Sequence, residues 1–112
     1  MRKIKIFDTT LRDGEQMAGV GMNIADKVRV AGVLAKLRVD FIEAGFPASS
    51  VNDRKAVEHI SQLVTGCTVV ALARANREDI RIAAEALQKA PRKRIHVFIA
   101  ASDLHLEYKL RI

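Results

Sequence analysis

Thr68-Val69-Val70-Ala71-Leu72-Ala73, then Asn76-Arg77-Glu78-Asp79-Ile80-Arg81-Ile82-Ala83-Ala84-Glu85-Ala86-Leu87, then Ile95-His96-Val97-Phe98-Ile99-Ala100 decides the fold. The outer runs are short, rich in Val, Ile and Ala, and lack a clean polar alternation, as strands covered on both faces do. Between them Ile80, Ala83, Ala84 and Leu87 fall on one face at helical spacing. Working outward, Phe41 to Ala44 and Ile4 to Phe7 read as two further strands. Val57, Ile60, Leu63 and Val64 stripe one intervening helix, and Val30, Ala31, Leu34 and Leu37 the other. Asn23, Ser50 and Asn76 are candidate N-caps, each followed three residues later by an aspartate: Asp26, Asp53 and Asp79. A cap oxygen satisfies an orphan N–H, and an acid in the first turn suits the helix dipole. Gly66 and Pro91 punctuate the ends of the second and third helices.

The order is βαβαβαβ, with a fourth helix opening near Asp103. Such alternation predicts a parallel sheet with right-handed crossovers. The second, third and fourth strands begin at residues 41, 68 and 95, an even step that favours a repeating barrel over a doubly wound sheet. The first unit is longer, and its surplus falls in the polar loop Thr10 to Gly21, of a length that is usually functional in α/β folds. A (β/α)8 barrel needs about 250 residues, against 112 here, and Leu104 to Ile112 still reads as helix with no stop signal. The expected fold class is α/β. Residues 1–112 are expected to be the N-terminal half of a TIM barrel, one incomplete domain of four parallel strands alternating with helices.

Composition narrows the function. Hydrophobic residues make up 49% and charged ones 29%, the balance of a globular chain. No apolar run approaches the roughly 20 residues of a membrane span, and charge returns too early at the N-terminus for a secretory signal. The single cysteine, Cys67, excludes an internal disulfide framework and reads as a small core residue. No membrane partner and a cytoplasmic setting are the expectation. The net charge of +6 raises a nucleic-acid partner. The densest basic run is only Arg92-Lys93-Arg94, there is no Trp, and other cations are interleaved with acids. No nucleic-acid partner is expected, and most charges read as a solvated outer face.

In parallel α/β folds the chemistry gathers at the carboxyl ends of the strands. There lie Asp8, Thr9, Thr10, Arg12, Asp13, Glu15 and Gln16 after strand one, and Glu43 inside strand two. Arg74 closes strand three, His96 lies within strand four and Ser102 at its end. Glu43 and Arg74 could be a structural ion pair, or Glu43 could face a substrate. His96, between Ile95 and Val97, reads as a hydrogen-bonded core histidine or a ligand. Arg12 and Asp13 suit an anion stabiliser beside a metal ligand.

Phe7-Asp8-Thr9-Thr10-Leu11-Arg12-Asp13-Gly14-Glu15-Gln16 resembles the signature of the metal-dependent TIM-barrel acyltransferases and lyases. That group holds the isopropylmalate, homocitrate and citramalate synthases and hydroxymethylglutaryl-CoA lyase. Glu43 to Ser50, Ala71 to Arg74, Arg94 to Ala100 and His105 to Arg111 extend the resemblance, which is strongest to the 2-isopropylmalate synthase branch. The resemblance implies a Claisen-type condensation of acetyl-CoA with a 2-oxo acid, 2-oxoisovalerate in that branch, as a step of leucine synthesis. It implies a divalent cofactor, Mn2+ or Mg2+, with Asp13 as a ligand. Arg12 and Glu43 take catalytic roles, and Arg12, Gln16, His96 and Ser102 border the substrate. It also implies a homodimer of the full-length protein, and further metal ligands (an HxH pair and an asparagine) from later strands, without which the 112 residues alone would be inactive. Citramalate or homocitrate synthesis is the alternative within the group, and a self-associating, non-enzymatic half barrel the alternative outside it. Two departures stand out: Ala101 replaces a threonine, and Arg38 replaces a glycine before Val39-Asp40.

Overall fold

Each of the three expected caps starts a helix. In the computed structural model, which describes residues 4–12 and 22–99, the side chains of Asn23, Ser50 and Asn76 accept the backbone N–H of Asp26, Asp53 and Asp79. The helices that follow are α1 (Ile24–Lys36), α2 (Val51–Leu63) and α3 (Arg77–Ala86). They alternate with β1 (Phe7–Asp8), β2 (Phe41–Gly45), β3 (Thr68–Arg74) and β4 (Lys93–Phe98). The anticipated helix near Asp103 lies outside the described residues.

All four strands are parallel and stand in the order β1-β2-β3-β4. Every crossover therefore steps to the adjacent strand in one direction, as in the N-terminal half of a (β/α)8 barrel, with no reversal of the kind a doubly wound sheet requires. Strand one begins later than expected, at Phe7, because Ile4 and Ile6 are exposed and only the Ile6 backbone is engaged. Its carbonyl accepts the N–H groups of Asp40 and Phe41, and its own N–H donates to Asp40 Oδ2 at 2.7 Å. Strand four starts two residues earlier than expected, at Lys93, carried by its pairing with Val69.

The pleat divides the sheet into two faces. On one, Ile42, Ala44, Val69, Ala71 and Ala73 join Ala31, Val57, Ile60, Ala83 and Leu87 of the helical layer in a single core. Fully burying a side chain the size of Ile60 contributes about 2 kcal/mol. On the other face Phe7 stacks on Phe41 with ring centroids 5.7 Å apart, and Arg94 lies 4.7 Å above the Phe41 ring. The outer surface of α2 and α3 carries the solvated charges expected there. Arg81 pairs with Glu78 and Glu85, and Arg54 with Glu58 and Glu85. Cys67 is a buried core residue whose thiol is pushed up by burial, an effect partly offset by Arg92.

Between Glu43 and Gly45 the register of β2 against β3 slips: Glu43 lies opposite Val70, and Gly45 opposite Ala71. Ala44 is thus the extra residue of a bulge, and bulges re-aim side chains beside functional sites. Glu43 leaves this segment on the face opposite the helices, fully buried.

Candidate functional site

The turn after β1 is built from its own side chains. Asp8 Oδ1 accepts the Thr10 N–H at 2.9 Å, the Arg12 N–H donates to the Thr9 carbonyl at 3.1 Å, and Leu11 plugs into the core. Such a side chain–backbone turn fixes the direction in which the next side chain leaves. Arg12 crosses to β2, where its Nε donates to Glu43 Oε1 at 2.6 Å. The other oxygen, Oε2, lies 2.6 Å from His96 Nδ1 of β4. A carboxylate only accepts, so Nδ1 carries the proton in this contact and Nε2 is the ring's remaining polar atom. The edge of the His96 ring meets Phe7 at 5.9 Å, and the histidine side chain is 48% exposed against 0% for Glu43.

Residues from the turn after β1, from β2 and from β4, separated by 31 and 53 positions, therefore meet in one chain, Arg12–Glu43–His96. A fully buried carboxylate must be compensated, and here both of its oxygens are. The consequence for chemistry is a guanidinium held at a set angle and a half-exposed imidazole held in one orientation. Such pre-set donors stabilise negative charge better than mobile ones.

The expectation of a Glu43–Arg74 ion pair is corrected. Arg74 is clamped by Asp79, with Nε to Oδ2 at 2.7 Å, Nη2 to Oδ1 at 3.1 Å, and its backbone N–H to Oδ2 at 3.1 Å. Five residues of separation and the cap at Asn76 make this pairing local, whereas Glu43 finds its partners across the sheet. The clamp holds the Asp79 carboxyl below the ordinary carboxylate range, the Arg74 side-chain hydrogen bond being the main cause.

The loop after β2 is braced from three sides. Asp53 Oδ2 accepts the Phe46 N–H at 2.9 Å, and the Ser49 hydroxyl donates to the Phe46 carbonyl at 2.7 Å. The Phe46 ring lies 5.9 Å from the Arg74 guanidinium and meets the Phe98 ring edge-on at 5.8 Å. Sequence reasoning had Asp53 only as a first-turn acid and overlooked Lys27, which is fully buried with Nζ 3.4 Å from Asp53 Oδ1. The available signal was its place on the α1 stripe, four residues before Ala31.

Of the residues singled out from the sequence, Arg12, Glu43 and His96 converge, while Asp13, Gln16 and Ser102 lie outside the described residues. No three His, Cys, Asp or Glu side chains among the described residues form a metal cluster. Among the described residues, too, no helix is long and apolar enough to cross a membrane.

The family model HMGL-like matches residues 3–112. The chain is 59% identical over 111 residues to a 2-isopropylmalate synthase of Pelotomaculum thermopropionicum, covering 99% of this chain and 22% of that protein. It is 57% identical over 110 residues to the 2-isopropylmalate synthase of Pyrococcus furiosus (98% and 22%). It is 54% identical over 112 residues to 2-isopropylmalate synthase 1 of Caldanaerobacter subterraneus subsp. tengcongensis (100% and 28%). The chain spans 22% to 28% of the length of these curated relatives. With a family model matched along nearly all of its residues, the chain belongs to the HMGL-like family.

Proposed function

We propose that residues 1–112 are the N-terminal part of the TIM-barrel catalytic domain of an acyltransferase that condenses acetyl-CoA with 2-oxoisovalerate. The products are 2-isopropylmalate and CoA. The observation that carries this reading is the Arg12–Glu43–His96 chain on the sheet face opposite the helices. The names of relatives 54% to 59% identical along the whole chain support the choice of substrates.

In the condensation the acetyl methyl group loses a proton and its carbon bonds to the ketone carbon of the oxo acid. The ketone oxygen takes up the electron pair and is then protonated, and water cleaves the thioester to release CoA. Arg12 faces the demand for positive charge at that oxygen. Glu43 touches no substrate in this scheme; it holds Arg12 through Nε and His96 through Nδ1. His96, half-exposed, offers Nε2 to the oxo acid. Gln16 and Ser102 complete the substrate boundary.

A divalent ion, Mn2+ or Mg2+, would polarise the ketone as a Lewis acid. The described residues do not by themselves fit such an ion, since both oxygens of Glu43 are already taken by Arg12 and His96. Asp13, next to Arg12, is the ligand this reading assigns, with further ligands supplied by strands beyond these four. The same reading places a homodimer in the cytoplasm, with acetyl-CoA and the oxo acid as its small-molecule partners.

The test is CoA release by the complete protein with acetyl-CoA and each of 2-oxoisovalerate, pyruvate and 2-oxoglutarate. Highest kcat/KM with 2-oxoisovalerate is expected. Preference for pyruvate or 2-oxoglutarate would replace this reading with a citramalate or homocitrate synthase.

A further inference from the structure

Lys27 and Asp53 take no part in the chemistry above, yet they meet at the back of the strand that carries Glu43. Lys27 is fully buried in α1, and its Nζ lies 3.4 Å from Asp53 Oδ1 in the first turn of α2. Asp53 Oδ2 accepts the Phe46 N–H at 2.9 Å, and Ser49 Oγ is 3.5 Å away. A Cβ added at Gly45 would stand 3.3 Å from the same oxygen and 3.3 Å from Val57 Cγ2, so α2 is pressed directly against the backbone of β2. That point of contact is the residue just past the bulge, two positions from Glu43.

An ammonium–carboxylate pair whose lysine is fully buried adds little stability over apolar side chains of the same size, because desolvation offsets the attraction. What the pair does supply is direction: a charged acceptor held at one height against Gly45 and Phe46. We infer that Lys27 and Asp53 are positioning residues for Glu43. By holding the Phe46 amide and seating Gly45 against α2, they lock the bulge in the register that delivers the Glu43 carboxylate to both Arg12 and His96. The inference rests on the reading of that chain as part of the active site, but its coupling is measurable without turnover.

The experiment uses the complete protein labelled with 15N-histidine and follows the His96 Nδ1–H resonance, alongside kcat for CoA release. Asp53→Ala is expected to shift this resonance or lose it to solvent exchange, and to lower kcat about ten-fold or more. Asp53→Asn, which keeps an acceptor for Phe46, should retain the resonance. Gly45→Ala and Lys27→Met probe the same contact from either side and decide the matter if Asp53→Ala does not fold. An unchanged His96 resonance in the folded variants, with only a lowered Tm, overturns the inference. Absence of condensation by the unaltered protein would instead remove the proposed reaction, and the resonance would still report whether the pair sets Glu43.

Discussion

Arg38 is the one described non-glycine residue with a positive φ, +64°. It follows Leu37, the C-cap of α1, and its N–H donates to the Ala35 carbonyl at 3.0 Å while the Val39 N–H reaches the Leu34 carbonyl at 3.4 Å. These two bonds make a Schellman motif with Arg38 at the position glycine usually fills, and the accompanying apolar contact falls to Val39, which is buried. A left-handed conformation costs a side-chain-bearing residue about 1–2 kcal/mol. Glycine escapes that cost but loses about 0.5–1 kcal/mol more backbone entropy on folding. Arg38→Gly should therefore stabilise the fold by about 0.5–1 kcal/mol. The Arg38 side chain makes no ion pair among the described residues, so no lost contact offsets the gain. Urea denaturation should show a higher midpoint with an unchanged slope, and Tm should rise by about 2–6 °C. Arg38→Ala is the control, since alanine keeps the left-handed cost and removes only the charge. An equal gain from Arg38→Ala, or a loss from Arg38→Gly, would refute the reasoning.

Glu43→Ala should destabilise by about 1–3 kcal/mol, because the partly exposed Arg12 and His96 lose their shared acceptor. Glu43→Gln should cost less, and thermal unfolding of the two variants checks the order. Ser50→Ala removes the acceptor of the Asp53 N–H and should cost about 1 kcal/mol in the same measurement. Asp79, held below the ordinary carboxylate range by Arg74, binds its proton less readily when folded than when unfolded. Its stabilisation is thus present above about pH 4 and is lost as pH falls through the lowered native value. Acid unfolding should begin at higher pH and be less steep in Asp79→Asn, and curves that superimpose would contradict the assignment.

The local grammar of the sequence carried the architecture. A cap oxygen, an acid three residues later and an apolar stripe are short-range signals, and at Asn23, Ser50 and Asn76 all of them act within one turn. The stripes failed at Ile80 and Ala84 of α3, which are exposed, and near the ends of α1 and α2. Leu37 and Leu63 are 69% and 65% exposed, because one is already the C-cap and the other the last residue of its helix. The near-even spacing of β2, β3 and β4 went with sequential strand order, and the longer first unit kept it. The partner of Glu43 was not legible, since it depends on how strands 31 and 53 residues away are staggered and on the path of the turn at Arg12. Lys27 was not singled out, although its place on the α1 stripe pointed inward. Asp13, Gln16 and Ser102 stand on sequence resemblance alone.

The central claim is that Arg12, fixed by Glu43, meets the oxygen on which charge develops when acetyl-CoA joins 2-oxoisovalerate. It is tested most directly by the rate of CoA release from both substrates by the complete protein and by its Arg12→Lys variant. Lysine keeps the charge but not the planar fork that Glu43 holds through Nε. The account predicts oxo-acid-dependent release that falls about 100-fold or more in kcat in the variant, with a lesser change in KM. An unchanged kcat in Arg12→Lys, or no oxo-acid-dependent release by the unaltered protein, would contradict it.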